Sequence, residues 1–230
     1  GGRLIITHTE KMLLDEGGVV RVPEHLTDVE AATLPCAALT AWSALVELGN
    51  VTAGDTVLVQ GTGGVAIFGL QLAGILGARA IVTSSSDDKL ARARELGAWK
   101  TINYREDEQW GKTARRLTGG GGVDHVVDVG GAKTLAQSLQ AVRVGGEISV
   151  IGVLSGTSAE LDVIPMLMKQ VRLQGLLVGS REGFERMNRA IAVSGLRPVV
   201  DRVFGFGEAR EAFELMASGG HVGKICIEMR

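Results

Sequence analysis

Six residues carry the most specific chemical signal in the chain: Gly61, Thr62, Gly63, Gly64, Val65 and Ala66. The run Thr56-Val-Leu-Val-Gln60 before them is short, apolar and β-branched. The stretch from Gly63 to Leu76 repeats its apolar residues (Ile67, Leu70, Ala73, Ile75, Leu76) at helical spacing. A glycine-rich turn between a strand and a helix suits a pyrophosphate. Gly61 permits the tight turn, Gly63 lets backbone approach the phosphates, and the small Ala66 lets helix pack on strand. The helix start adds unpaired N–H groups and the positive end of its dipole. Gly-x-Gly-x-x-Ala alone is a weak motif, but set within a strand–turn–helix unit it is a strong one. The competing possibility is a glycine-rich turn without a ligand.

A dinucleotide held on this turn sends its adenosine ribose to the end of the next strand, where NAD sites carry Asp or Glu. Here that position reads Thr83-Ser84-Ser85-Ser86, with no acid. A carboxylate repels a ribose 2′-phosphate, whereas hydroxyls and a cation accept it. Lys89, on the first turn of the following helix, supplies the cation. The residues therefore favour NADP(H) over NAD(H). The alternative is that Asp87 or Asp88 bonds the ribose, although both also read as N-terminal helix acids facing the dipole.

Other candidates for chemistry are few. His8, His25, His125 and His221 show no ligand-pair spacing and suggest no Ser-His-Asp arrangement. His125 lies in an expected strand, as a core or sheet-edge residue. His221 follows Gly219-Gly220 near Lys224, either as part of a turn or approaching a cofactor. Cys36 and Cys226 are too far apart in sequence for a disulfide framework, which fits a reducing cytosol and a cytoplasmic protein. A catalytic zinc needs three protein ligands, so Cys36 alone holds none and reads as a buried helix thiol. No metal and no general acid or base is assigned.

Elements must position these residues, and the hydropathy pattern supplies them. Strands are expected at Thr56–Gln60, Ala80–Thr83, Lys100–Asn103, Val123–Val129, Glu147–Ile151 and Val171–Val178. Helices are expected over Gly63–Leu76, from the Ser86-Asp87-Asp88 cap to Leu96 with Gly97 as the stop, and over Glu106–Leu117, Ala132–Val142 and Arg181–Val193. Alternating strands and helices with short connections imply a doubly wound α/β parallel sheet with right-handed crossovers. The flanks differ. Thr27-Asp-Val-Glu30 is a capping box opening a helix that Pro35 interrupts, that resumes through Leu48, and that Gly49-Asn50 ends. Val199–Phe204, Glu208–Ala217 and Val222–Glu228 read as strand, helix and strand outside the main rhythm.

Composition removes several function classes. With 24 Lys+Arg against 26 Asp+Glu the net charge is −2, which gives no basic footprint for nucleic acid. A hydrophobic share of 45% supports a core and excludes wholesale disorder. The 33 glycines lack a three-residue period and read as turns. No apolar run is expected to reach the roughly 18 residues that span a bilayer, and no basic-then-apolar leader is seen.

Several segments together resemble the medium-chain dehydrogenase/reductase superfamily, nearest its zinc-type alcohol dehydrogenase-like and quinone oxidoreductase-like members. They are Leu34-Pro-Cys-Ala-Ala-Leu-Thr-Ala-Trp42, Thr56–Ala66, Ser84–Leu90, Ala93–Ala98, Ile102–Arg105, Gly121–Asp128, Gly145–Gly152 and Val178–Arg181. The resemblance runs from about residue 17 to 230. It implies pyrophosphate binding by the backbone of Gly61–Val65, and 2′-phosphate contacts from Ser85, Lys89 and Tyr104, with Ser84 also in the cofactor site. It implies ribose and nicotinamide contacts from Val129-Gly130, Ile151-Gly152-Val153 and Gly179-Ser180, with Thr40 packed near the nicotinamide. Tyr104 also reads as a plain surface aromatic, and Arg181 either serves the cofactor or caps a strand end.

The resemblance further implies a GroES-like catalytic domain of which only remnants fall in this chain. Residues 1–27 would be its tail and 197–230 its returning C-terminal segment, around a dinucleotide-binding domain at 28–196. Gly1–Thr9 match no family segment. The expected activity is NADP-dependent hydride transfer to or from an alcohol, carbonyl, enone or quinone, without zinc and in a homodimer. The alternative is an NADP(H)-binding module without turnover, a sensor or partner subunit. Exposed apolar surface and poorly anchored end segments are expected where the catalytic domain packs.

Overall fold

The computed structural model describes residues 13–229. His8 and the Gly1–Thr9 stretch lie outside them. In chain order the elements are α1 (Asp28–Leu48), β1 (Thr56–Gln60), α2 (Gly64–Ile75), β2 (Arg79–Ser84), α3 (Asp87–Glu95), β3 (Lys100–Asn103), α4 (Trp110–Leu117) and β4 (Val123–Asp128). Then come α5 (Leu135–Ala141), β5 (Val142–Val150), α6 (Ile164–Lys169), β6 (Arg172–Gly175), α7 (Arg181–Ser194), β7 (Val200–Gly205), α8 (Ala209–Ser218) and β8 (Lys224–Glu228).

Strands β1 to β6 pair in parallel, in the order β3-β2-β1-β4-β5-β6. This is the doubly wound sheet expected from the alternation. Period-2 geometry splits β1, β2 and β4 between two cores. Val57, Val59, Ala80, Val82 and Val127 pack towards α1, α2 and α7. Leu58, Ile81, Val126 and Ile148 pack towards α4 and α5. Every residue of β1 is buried, because helices cover both its faces.

The capping box forms in both directions. Thr27 Oγ1 accepts from Glu30 N–H (3.2 Å), and Glu30 Oε2 accepts from Thr27 N–H (2.8 Å). Pro35 does not break α1. It sits in the first turn of a π-helical segment, Leu34–Ala38, where its missing N–H costs least. The expectation about apolar length is corrected here, because α1 is 21 residues long with mean hydropathy 1.4, enough by length and composition to cross a membrane. In the fold 67% of that apolar window is buried, against α2 and α7. The expected burial of Cys36 is also corrected: it lies on the outward side of α1 and is exposed.

Other boundaries shift for local reasons. Residues 104–109 form turns, so α4 begins at Trp110 rather than near Glu106. β5 follows α5 directly, from Val142, and β6 stops at Gly175. The sequence pattern gave no sign of α6. Its last residue, Lys169, reaches back to the end of α5, where Nζ donates to the carbonyls of Leu139 (2.6 Å), Gln140 (3.1 Å) and Val142 (3.1 Å).

The C-terminal β7 and β8 make a separate parallel pair, joined through α8. The pair is fastened to the main sheet at the glycine turn: Gly63 bridges Gly223, and Gly223 N–H donates to Thr62 C=O (2.9 Å). The N-terminal strap is tied as well, by Asn188 Nδ2 to Arg21 C=O (2.9 Å) and His25 Nε2 to Leu196 C=O (3.0 Å). Arg197 Nη1 holds both carboxylate oxygens of Glu30 (3.0 and 2.9 Å). The expectation of poorly anchored ends therefore fails for the described residues, while exposed apolar surface is present. A groove of about 590 Å³ between α1, α8 and β8 is lined by Val29, Phe213, Met216, Ile225 and Ile227.

Candidate functional site: the carboxyl edge of the sheet

Strand order reverses between β1 and β4, and in open α/β sheets the crevice beyond that reversal is where ligands bind. The glycine turn sits there. Gly61 has φ +78°, a left-handed backbone that favours glycine, and its N–H donates to Thr83 C=O (2.8 Å). Gly63 is the N-cap of α2, with an extended backbone and no side-chain capping bond. A Cβ added at Gly63 would meet nothing within 4 Å. The first intrahelical bond is from Ile67 N–H to Gly63 C=O (3.0 Å), so the amides of Gly64 and Val65 have no carbonyl partner within the helix. Ala66 is buried in the core that β1 shares with α2, and helix and strand are also close one turn later. A Cβ at Gly69 would lie 2.9 Å from Val59 Cγ1.

At the end of β2, Ser84 is buried and its carbonyl accepts from Tyr104 N–H (3.0 Å). That bond brings Tyr104, 43% exposed, beside the serines. Ser86 occupies the N-cap of α3 without a side-chain capping bond, and Asp87 Oδ1 accepts from Asn103 Nδ2 (3.0 Å). Lys89 Nζ donates to Gly219 C=O, at the end of α8. Lys224 was missed as a site residue. A Cβ at Gly64 would stand 2.6 Å from its Cδ, so its side chain lies across the start of α2. Burial, with the positive charges of Lys89 and Lys224, holds the His221 imidazole below its usual pKa, while Asp201 opposes them. The C-terminal turn thus gathers His221 and Lys224, neighbours in sequence, with the distant Lys89 beside the glycine turn, and no spacing rule relates that turn to residues 61–89.

The second half of the edge is built differently. Asp128, 0% exposed at the end of β4, accepts from Gly130 N–H (3.1 Å), Gly131 N–H (3.0 Å) and Thr134 Oγ1 (2.7 Å) on Oδ1. Its Oδ2 accepts from Gln60 Nε2 (2.9 Å) and Ser138 Oγ (2.6 Å). Gln60 Oε1 accepts from Val129 and Gly130 N–H (3.2 Å each). Ile151 N–H donates to Asp128 C=O (2.8 Å) and Gly152 N–H to the same oxygen (3.4 Å), so Val129-Gly130 and Ile151–Val153 form one bonded surface.

Thr40 is buried in α1, one residue from Leu39, whose side chain would touch a Cβ at Gly179 (3.0 Å). Ser180 caps α7, accepting from Gly183 N–H (3.0 Å). Arg181 runs along α7, where Nε donates to Glu185 Oε1 (3.1 Å). His125 is a core residue. Its Nε2 meets Ser149 Oγ (3.0 Å), and burial, reinforced by Arg172, lowers its pKa to about 4.

A scan against protein-family models matches residues 64–193 to a family described as zinc-binding dehydrogenase. A zinc-type alcohol dehydrogenase-like protein of Schizosaccharomyces pombe is 43% identical over 94% of this chain and 64% of its own length. The chain belongs to this family of medium-chain dehydrogenases/reductases. Among solved structures, a candidate alcohol dehydrogenase from Sinorhizobium meliloti 1021 superposes with a TM-score of 0.90 at 49% identity, covering 94% of this chain and 63% of that one. Two further neighbours are an NAD-dependent alcohol dehydrogenase (35% identity, TM-score 0.87, 94% and 63% coverage) and a mycobacterial protein complexed with NADPH (30%, 0.81, 91% and 67%). The chain thus spans a little under two-thirds of its first relatives.

The open cradle at Gly63 and the first-turn amides of α2 fit a nicotinamide dinucleotide. Among the described residues no three His, Cys, Asp or Glu side chains stand close enough together to hold a metal.

Proposed function

We propose that this chain is the cofactor-binding part of an NADP-dependent oxidoreductase acting on an alcohol or carbonyl, an enone or a quinone. The observation that carries the reading is the uncapped α2 start, with Gly63 open and Gly61 in a left-handed turn. A bound nicotinamide supplies or takes up the hydride. The chain's own residues bind and orient it. Amides of Gly63–Val65 receive the diphosphate, with Lys224 lying alongside. Ser84, Ser85, Tyr104 and Lys89 receive the adenosine 2′-phosphate. Val129-Gly130, Ile151–Val153, Gly179-Ser180 and Thr40 bound the nicotinamide side, with Arg181 at its margin. The absence of an acid at the end of β2 supports NADP(H) over NAD(H). The neighbours include both an NAD-dependent enzyme and an NADPH complex.

The wider reading follows the same division of the chain, 28–196 as dinucleotide domain and the flanks 1–27 and 197–230 as parts of a second domain. The protein would be cytoplasmic, would need no zinc, and would pair as a homodimer through the β6 edge. Support for pairing is exposed apolar surface on and beside β6, at Leu173 and Leu177 (91% exposed), and on the preceding helix α6, at Ile164, Leu167 and Met168. Titration with NADPH and NADH tests the cofactor, and Lys89→Ala tests the phosphate contact. Tighter NADPH binding that this substitution abolishes is expected; equal affinities unaffected by it would overturn the NADP assignment. Turnover with an aldehyde and quinone panel separates an active enzyme from a binding module.

A further inference from the structure

Asp128 is a fully buried carboxylate to which the reading above gives no contact with a ligand. Burying a carboxylate among apolar strands is costly unless donors surround it. Five donors do so here: two backbone amides, two hydroxyls and the Gln60 amide. The donors are not scattered. All but Gln60 belong to the segment that leaves β4, residues 130–138. Gln60 belongs to β1, the strand on the other side of the reversal in strand order.

The segment so held carries a second one. Ser155 N–H and Ser155 Oγ both donate to Gly130 C=O (2.8 Å each), Lys133 N–H donates to Ser155 Oγ (2.9 Å), and Ala132 N–H donates to Gly156 C=O (3.2 Å). Space is closed as well as bonded. A Cβ at Gly131 would meet Gly152 C=O at 2.9 Å, and one at Gly152 would meet Val129 C=O at 2.4 Å. Moving Asp128 therefore moves the loops after both β4 and β5. The glycine turn follows Gln60 directly, but it and the end of β2 are held by backbone bonds that involve neither side chain of Gln60 and Asp128: Gly61 N–H to Thr83 C=O, Gly223 N–H to Thr62 C=O and Tyr104 N–H to Ser84 C=O.

We propose that Gln60 and Asp128 are a positioning pair that fixes the strand-end loops 129–131 and 151–156, and so sets how the nicotinamide half of the cofactor is held. The inference rests on the dinucleotide reading. In a doubly wound sheet the two halves each receive one mononucleotide. The adenosine half falls to β1–β3, and the other half to β4–β6. The pair touches no ligand and acts through the loops.

The pair's polarity gives the test. Asp128→Asn turns an amide group towards the Gln60 amide, and Gln60→Glu sets two carboxylates face to face. The double variant Gln60→Glu/Asp128→Asn restores one amide donating to one carboxylate. Binding of NADPH and of adenosine 2′,5′-bisphosphate, which lacks the nicotinamide half, is measured for each chain by calorimetry. Each single variant is expected to weaken NADPH roughly tenfold and to leave the bisphosphate within about twofold, and the double variant to regain most of the NADPH affinity. Thr134→Val, which removes one donor, is expected to weaken NADPH by a smaller factor with the bisphosphate unchanged. Should a single variant fail to fold, the double variant and Thr134→Val carry the same comparison.

Singles that bind NADPH like the wild type overturn the proposal. So does equal loss of both ligands, which marks a general structural role, and so does a double variant no better than the singles. A wild-type chain that binds neither ligand removes the dinucleotide reading itself.

Discussion

The two halves of the sheet's carboxyl edge solve one problem in opposite ways. After β1 the chain leaves a turn held only through its backbone, by Gly61 N–H to Thr83 C=O and by Gly223 N–H to Thr62 C=O, with an uncapped helix start and open space at Gly63. After β4 it builds a closed knot around Asp128, with side chains satisfying almost every local amide. An open backbone surface suits phosphates, which bring their own acceptors to unpaired N–H groups. A closed one suits a group that must be held in a single orientation, because its walls are fixed before the ligand arrives. Openness is a property of the first half and rigidity of the second.

The largest effect should come from acid, which attacks the second half. His125, on β4, has a pKa near 4 in the fold against about 6.5 for a free imidazole. The unfolded chain therefore binds a proton that the folded chain refuses. Stability from the neutral imidazole is complete above pH 6.5, falls as pH drops towards 4, and amounts to about 3 kcal/mol. Urea unfolding at pH 7 and pH 4.5 should reveal it, and His125→Gln should flatten the slope. Gly63→Ala comes next and probes the first half. Its φ of −75° suits alanine and its Cβ is free of contacts, so the melting temperature should hold while NADPH binding weakens at least tenfold. If melting temperature and affinity fall together, the turn is not an open cradle.

Lys89→Ala should lower affinity for NADPH by roughly tenfold and leave NADH nearly unchanged. The Nζ bond to Gly219 sharpens this, because the same substitution also releases the end of α8. Hydrogen exchange at residues 216–220 would separate lost phosphate contact from a loosened turn. The smallest effect should be at Cys36. It is exposed and no three potential ligands gather among the described residues, so Cys36→Ser and chelator treatment should both leave NADPH binding unchanged.

What the sequence made legible was local. The β1–turn–α2 unit, the end of α3 at Gly97 (φ +99°) and the Thr27–Glu30 box each depend on residues within one or two turns of one another. The strand alternation was enough to give the sheet, because apolar runs of that length bury both faces only in a parallel arrangement. Side-chain partners far along the chain stayed hidden. Gln60 meets Asp128 across 68 positions and Lys89 meets Gly219 across 130, and no spacing rule relates them. Cys36 was misread because it falls in the π-helical segment Leu34–Ala38, whose wider turn departs from the 3.6-residue spacing on which the expected face rests. α6 escaped because its stabilising contact, Lys169 on the end of α5, lies about thirty residues upstream.

The bridge from Gly63 to Gly223 has a practical consequence for anyone dissecting this molecule. Cutting after residue 196 to isolate the sheet would look clean on a domain map. It would also strip away the strand that flanks the turn, together with Lys224 and the carbonyl that restrains Lys89. A fragment meant to bind a dinucleotide therefore has to keep its C-terminal tail, because the turn after β1 and the strand beside it come from opposite ends of the polypeptide.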